Sequence, residues 1–163
     1  MIVVADTSVL INLVLVSQAG LLRELFHEVL IPPAVRSEFS RLAASGGRFA
    51  GLDVPDWVQV SLPVTIGEAL VRRVNLDQGE MEALALALAI HADAVLIDES
   101  TGRAAAVELG LTPIGVLGIL VRAKRSGHLA AVAPVVDDLL TRAKFRAAPE
   151  LVREVLRLAG EAG

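Results

Sequence analysis

The chain has 163 residues, 54% of them apolar and 21% charged, with a net charge of −4. That composition is globular, large enough to bury a core without staples, and excludes intrinsic disorder. There is no cysteine, which excludes disulfides, thiolate metal sites and thiol nucleophiles together.

Only oxygen ligands and three histidines remain to bind a metal, and oxygen ligands favour hard cations such as Mg2+ or Mn2+. Aromatics are 3% of the chain, so the core is built from Leu, Val, Ile and Ala. The longest uncharged run, residues 7–22, carries Asn12, Ser17 and Gln18. It falls short of the roughly 18 apolar residues a membrane span needs. No basic region precedes an apolar stretch at the start, so no signal peptide is read and a cytoplasmic protein is expected. The acidic balance argues against a general nucleic-acid binder, but not against one whose acids gather around cations.

In chain order, residues 2–5 form a β-branched run without alternation, as in a strand buried on both faces of a parallel sheet. Asp6 stops it, and Val9, Leu10, Leu13 and Val14 then recur with helical spacing. Leu21, Leu22, Leu25 and Phe26 predict a second helix. Residues 29–31 read as a buried strand, and Pro33 suits the first turn of a helix whose apolar stripe is Val35, Phe39 and Leu42. Residues 44–55 form a glycine-rich loop, residues 57–62 alternate as an edge strand, and residues 66–74 make a short helix. The Ala/Leu-rich run 80–91 predicts a helix, and residues 94–97 a strand that Asp98 ends. A helix over 102–109, a strand over 112–114, and helices over 117–125, 132–143 and 150–159 complete the count. Alternating strands and helices predict an α/β fold, a three-layer α/β/α sandwich around a mostly parallel sheet. Residues 1–163 read as one domain, with the C-terminal helices of 132–159 packed on it.

Sites in open parallel sheets form beyond the carboxyl ends of the strands. Two apolar strands here end in Asp6 and Asp98, which meet if the strands are neighbours; either residue alone serves equally as a helix N-cap. Glu38 falls roughly 60° from Val35 around its helix, on the flank of the buried stripe. Asp77 and Glu80 have the form of a capping box. Glu80 also shares a face with Ala83, Leu84 and Ala87, whereas Glu82 points elsewhere. Several carboxylates in one cleft repel one another and raise their pKa values, a cost that divalent cations remove. Such a set suits two-metal hydrolysis of a phosphodiester.

At these residues the chain resembles the PIN-domain nucleases, which include the VapC-type toxins. The resemblance runs through Val3-Val4-Ala5-Asp6-Thr7-Ser8, Ile31-Pro32-Pro33 to Glu38, Gly79-Glu80-Met81 and Val95-Leu96-Ile97-Asp98-Glu99-Ser100. The stretch from Gly102-Arg103 through Lys144-Phe145-Arg146 is closest to a less studied PIN branch. The resemblance implies an Mg2+- or Mn2+-dependent ribonuclease, often a homodimer and often the toxin of a toxin–antitoxin pair restrained by a small antitoxin protein. It makes Asp6, Glu38, Glu80 and Asp98 the catalytic, metal-binding carboxylates, with Thr7, Ser8 and Glu99 as auxiliaries. Two positions depart from the family: the third acid is commonly Asp, and Leu96 stands where Thr is frequent.

Other phosphate chemistries on an acidic α/β domain fit the residues less well. A haloacid-dehalogenase-like phosphatase needs an aspartate where Ser8 stands, and a receiver domain lacks its phosphoacceptor here. A PIN fold that has lost catalysis and binds a partner remains the alternative. Arg36, Arg41, Arg72, Arg73, Arg103, Lys124 and Arg125 are the candidates for holding a phosphate backbone, with Arg103 foremost, one turn beyond Asp98. Leu10, Leu13, Val14, Leu21 and Leu22 suit either a core or a partner groove. His27, His91 and His128 are scattered and assigned to no metal.

Overall fold

The buried β-branched runs line up as one sheet in the computed structural model, which describes residues 1–73 and 75–161. Its strands are β1 (Ile2–Ala5), β2 (Glu28–Ile31), β3 (Gln59–Val60), β4 (Ala94–Leu96) and β5 (Pro113–Ile114). They run in the order β3-β2-β1-β4-β5, and every pairing is parallel. Nine α-helices flank the sheet among the described residues. They are α1 (Thr7–Leu15), α2 (Gly20–Leu25), α3 (Pro33–Ala44), α4 (Glu68–Val71), α5 (Gln78–Ala89), α6 (Ser100–Glu108), α7 (Val116–Arg125), α8 (Ala133–Thr141) and α9 (Pro149–Leu158).

The period of two along each strand sorts its side chains into two cores. Val3, Ala5, Ala94 and Leu96 pack with α1, α2, α3 and the three C-terminal helices. Val4, Val95 and Ile97 point the other way, onto Leu70, α5 and α6. Both faces are therefore apolar, which is why the strands show no alternation of polarity. Val4 and Val95 are fully buried, each worth roughly 1.5–3 kcal/mol of transfer free energy.

Sheet order also places the site. The chain winds outward from β1 through β2 to β3, then returns to add β4 and β5 on the other side. The reversal lies between β1 and β4, where open α/β sheets leave a crevice beyond the strand ends. Val4 stands opposite Val95 and Ala5 opposite Leu96. The Asp6 N–H donates to the Leu96 carbonyl at 2.9 Å, which carries the ladder one residue further.

Some boundaries differ from expectation. The edge strand expected over 57–62 is only β3, because both its residues are exposed, Leu62 is 85% exposed and Pro63 follows. The helix expected over 66–74 shortens to α4, and residue 74 lies outside the described residues. Within the loop of 44–55, Gly47–Phe49 forms one 3-10 turn. Among the described residues no helix is long and apolar enough to cross a membrane.

The C-terminal helices are tied down by one carboxylate. Glu161 accepts hydrogen bonds from the Val132 N–H at 2.6 Å and the Ala133 N–H at 3.0 Å, and from Lys124 Nζ at 2.9 Å. These are orphan donors at the start of α8, the place where an acidic group is favoured. The Lys124 bond foremost, with the two backbone donors, lowers the Glu161 pKa to about 2. A depressed acid stabilises the fold above its unfolded pKa, and that stability is lost as pH falls through the folded value. Glu161→Gln is expected to lower Tm by about 2–4 °C at pH 7, the shift for roughly 1 kcal/mol in a domain this size. The difference from wild type should close as thermal melts are taken below pH 4.5 toward about pH 2.

Candidate functional site

Five carboxyl groups from four separate segments reach the same end of the sheet. Asp6 continues β1 and is only 5% exposed. It occupies the N-cap position of α1 but accepts no cap hydrogen bond there, so capping does not account for its burial. Asp98 follows β4; its Oδ1 accepts from the Val116 N–H at 3.1 Å, so it caps α7 rather than α6, whose N-cap residue is Glu99. Asp77 does cap α5, taking the Glu80 N–H at 2.7 Å. That bond turns Glu80, 5% exposed, inward on the buried face of α5. Glu38 is half-buried on α3.

Glycines let these groups approach. A Cβ placed on Gly79 would lie 3.4 Å from Asp77 Oδ1, 3.5 Å from Glu38 Oε2 and 3.6 Å from Asp6 Oδ1. A Cβ on Gly102 would run into Ile97 and come within 3.4 Å of Glu80 Oε2. One on Gly115 would sit 2.5 Å from Asp98 Oδ1 and 2.7 Å from Arg103 Nη1. At Gly102 and Gly115 a side chain would displace its neighbours, whereas at Gly79 a methyl group would sit in ordinary contact with three carboxylates.

Glu82 stands apart from this cluster. Its carboxylate accepts from the Ala34 N–H at 3.1 Å and from Gln78 Nε2 at 2.8 Å, which fastens the start of α3 to α5. Asp77, rather than Glu82, is the acid beside Glu80. Glu99 is exposed at the rim and adds negative potential to Asp98 and Glu80.

Burial and crowding raise the pKa values of Asp6, Glu80 and Asp98. Desolvation foremost, then the charges of Asp77, Glu38 and Asp98, raise the Asp6 pKa to about 7, against the nearby Thr7 N–H. Desolvation, with Asp77 and Asp6, raises Glu80 to about 8. Asp98 is also raised by burial, although the Val116 N–H and the Arg103 charge oppose it. Glu80 Oε2, Asp98 Oδ2 and the hydroxyls of Thr7 and Ser8 are buried with no hydrogen-bond partner. Buried oxygens without partners are rare and call for an ion or water. Among the described residues no three such side chains form a ready-made coordination shell. The set is an acidic wall with spare oxygens, which fits a small hard cation that keeps several of its waters.

Beside the wall lies an open cleft of about 1090 Å³, lined by Thr7, Ser8, Glu38, Asp98, Glu99 and Arg103. Arg48, Arg122, Lys144 and Arg146 line it too, and none of them has an ion-pair partner among the described residues. Sequence patterning did not single these four out as phosphate-binding, because they lie on unrelated segments that only the fold brings together. Of the seven cations named from sequence, Arg103 alone lines the cleft. Arg72 pairs with Glu68, Arg73 with Glu108 and Lys124 with Glu161, and Arg125 donates to the Leu158 carbonyl. Arg36 and Arg41 are exposed on α3 away from it. Leu10, Leu13, Leu21 and Leu22 are core, and Val14 packs against it.

The family model described as DUF3368, a PIN domain, matches residues 2–161. The chain belongs to the PIN-domain family. PIN domains are generally nucleases, and they typically use divalent metals. Among solved structures, a PilT N-terminus domain protein from the hyperthermophilic archaeon Sulfolobus solfataricus P2 is similar in fold, with a TM-score of 0.50. It is 19% identical, and the likeness covers 76% of this chain and 93% of that one. No curated protein matches the chain.

The raised acids set a pH dependence in the PIN chain. An acid whose pKa rises on folding contributes stability that is full below its unfolded pKa and is lost as pH climbs to the folded value. For Asp6 that window runs from 3.8 to about 7, and for Glu80 from 4.5 to about 8. Without divalent cations Tm is expected to fall between about pH 5 and about pH 8. Added Mn2+ should raise Tm more at the upper end, because it binds the ionised form. Asp6→Asn should flatten both trends; melts that are flat with pH and indifferent to Mn2+ would contradict this account.

Proposed function

We infer that the chain is a divalent-metal-dependent endoribonuclease that hydrolyses RNA phosphodiester bonds. The observation that carries the reading is the gathering of Asp6, Glu38, Asp77, Glu80 and Asp98 beside a cleft with unpaired cations. Asp6, Glu38, Glu80 and Asp98 would hold Mg2+ or Mn2+, with Asp77 added to their number. A bound cation would neutralise the cluster, lower the pKa of a water and stabilise charge on the leaving oxygen.

The chain's own residues do the remaining work. Arg103, whose charge already acts on Asp98, is placed to meet a phosphate at the cleft wall. Val116 fixes the direction of the Asp98 carboxylate through its N–H. Glu38, half-buried and lining the cleft, would orient a water there. Glu80 and Asp6, with pKa values raised to about 8 and about 7, would release protons on holding a cation. Thr7 and Ser8 offer hydroxyls to hold water or carboxylate oxygens.

The resemblance of the motifs to VapC-type toxins extends the proposal to a cytoplasmic toxin, homodimeric and restrained by a small antitoxin. The alternative, an inactive binding module, leaves the burial of like charges unexplained. Such burial costs free energy that a module without metal would have no reason to retain.

Mg2+- or Mn2+-dependent cleavage of RNA is expected to fall by more than about 100-fold in both Asp6→Asn and Asp98→Asn. That exceeds the 10–100-fold typical of losing an outer-shell group. Circular dichroism should show the fold intact. Undiminished cleavage in both variants, or in EDTA, would sink the reading.

A further inference from the structure

Aromatic residues are scarce in this chain, four Phe and one Trp. Phe26 and Phe39 are buried, and only Phe49 and Phe145 line the acidic cleft. Arg48 already covers one face of the Phe49 ring, 4.4 Å from its centroid. Phe145 has no such cover among the described residues. It is half-buried, with part of the ring packed against the core, so the side chain is fixed in place while it still borders the cleft.

The backbone around Phe145 is held in an uncommon shape. Lys144 has a φ of 58°, the left-handed region that a lysine rarely adopts. Ser17 and His91 are the other non-glycine residues with positive φ among the described residues, and neither lines the cleft. Hydrogen bonds enforce the turn: the Ala143 N–H donates to the Asp138 carbonyl at 3.3 Å and the Phe145 N–H to the Leu139 carbonyl at 2.9 Å. Arg142 Nη2 ties the end of α8 to the Leu15 carbonyl at 3.1 Å. The result is an anchored arm that presents Lys144, Phe145 and Arg146 to the cleft, with Arg122 nearby on α7. Ser17, His91 and Lys144 all follow helix C-termini, where a left-handed residue ends the helix; at α8 that turn sets the direction of Lys144, Phe145 and Arg146.

Cations that track a backbone, with an aromatic face between them, are how proteins hold unpaired nucleotides. We propose that Phe145 is a stacking platform for one unpaired nucleobase, with Lys144, Arg146 and Arg122 holding the flanking phosphates, which sets the register of the strand against the carboxylate wall. A base in a duplex has no free face to offer, so the platform selects single-stranded segments. The inference rests on the ribonuclease reading and assigns the residue that positions its substrate.

The test is fluorescence anisotropy with the Asp6→Asn protein and a labelled single-stranded oligoribonucleotide, intact or with one abasic residue stepped along it. Phe145→Leu should weaken binding of the intact strand by about 5- to 150-fold, the range for one base–aromatic stack. Phe145→Trp should restore it, and a blunt duplex should be indifferent to both changes. One abasic position should weaken binding to the Phe145 protein and cost nothing extra in Phe145→Leu, a coupling that lost packing alone does not produce. If Phe145→Leu proves unstable in thermal melts, the same coupling is read with Phe145→Trp, where the abasic penalty should grow. An abasic penalty that ignores residue 145 overturns the platform and leaves the ribonuclease reading standing. Failure of the wild-type protein both to bind any strand in EDTA and to cleave one in Mn2+ overturns both.

Discussion

Everything in this structure that bears on function depends on the parallel pairing of β1 with β4. It sets Ala5 opposite Leu96, so both strands end at one crevice and deliver Asp6 and Asp98 to it. That placement brings a liability. Acids buried side by side repel one another and lose their hydration, and Asp6 and Glu80 carry the mark of it in pKa values raised to about 7 and about 8. The fold bears this cost because two apolar cores, one on each face of the sheet, hold β1 and β4 where they are.

The helices complete what the strands begin. Glu82 joins the start of α3 to α5, and that junction brings Glu38 and Glu80 to the same corner. Asp77 binds the Glu80 N–H and turns a helix start into part of the acidic wall. Asp98 does the same for α7, through Val116. Capping and site-building are one arrangement here, since the carboxylates that satisfy helix amides also face the cluster. Gly115 leaves room for Asp98 and Arg103 to lie against the start of α7.

Much of this was legible in the sequence for definite reasons. Strands buried on both faces show as unbroken apolar runs, so residues 2–5 and 94–97 stood out, each closed by an aspartate. The spacing of Asp77 and Glu80 announced a cap, which is a local interaction. What was not legible was non-local. Asp98 caps a helix 18 residues further on, so its neighbour Glu99 takes the N-cap position of α6. The basic side of the cleft was hidden for the same reason. Arg48, Arg122, Lys144 and Arg146 come from three distant segments of an acidic chain, and no helical stripe links them. Arg72, Arg73 and Lys124 were candidates for holding a phosphate backbone, yet the fold commits each to an ion pair. Edge strand β3 was overestimated because alternation persists past Val60, where Leu62 is already in solvent.

The central claim is that the buried acids hold protons that a divalent cation must displace. Isothermal titration calorimetry of Mn2+ binding at pH 7, repeated in buffers of different ionisation enthalpy, measures that directly. The account predicts that binding heats vary with the buffer, reporting release of on the order of one proton per site, and that the dependence fades below about pH 5 as affinity drops. Binding without proton release, or no binding at all, would contradict it.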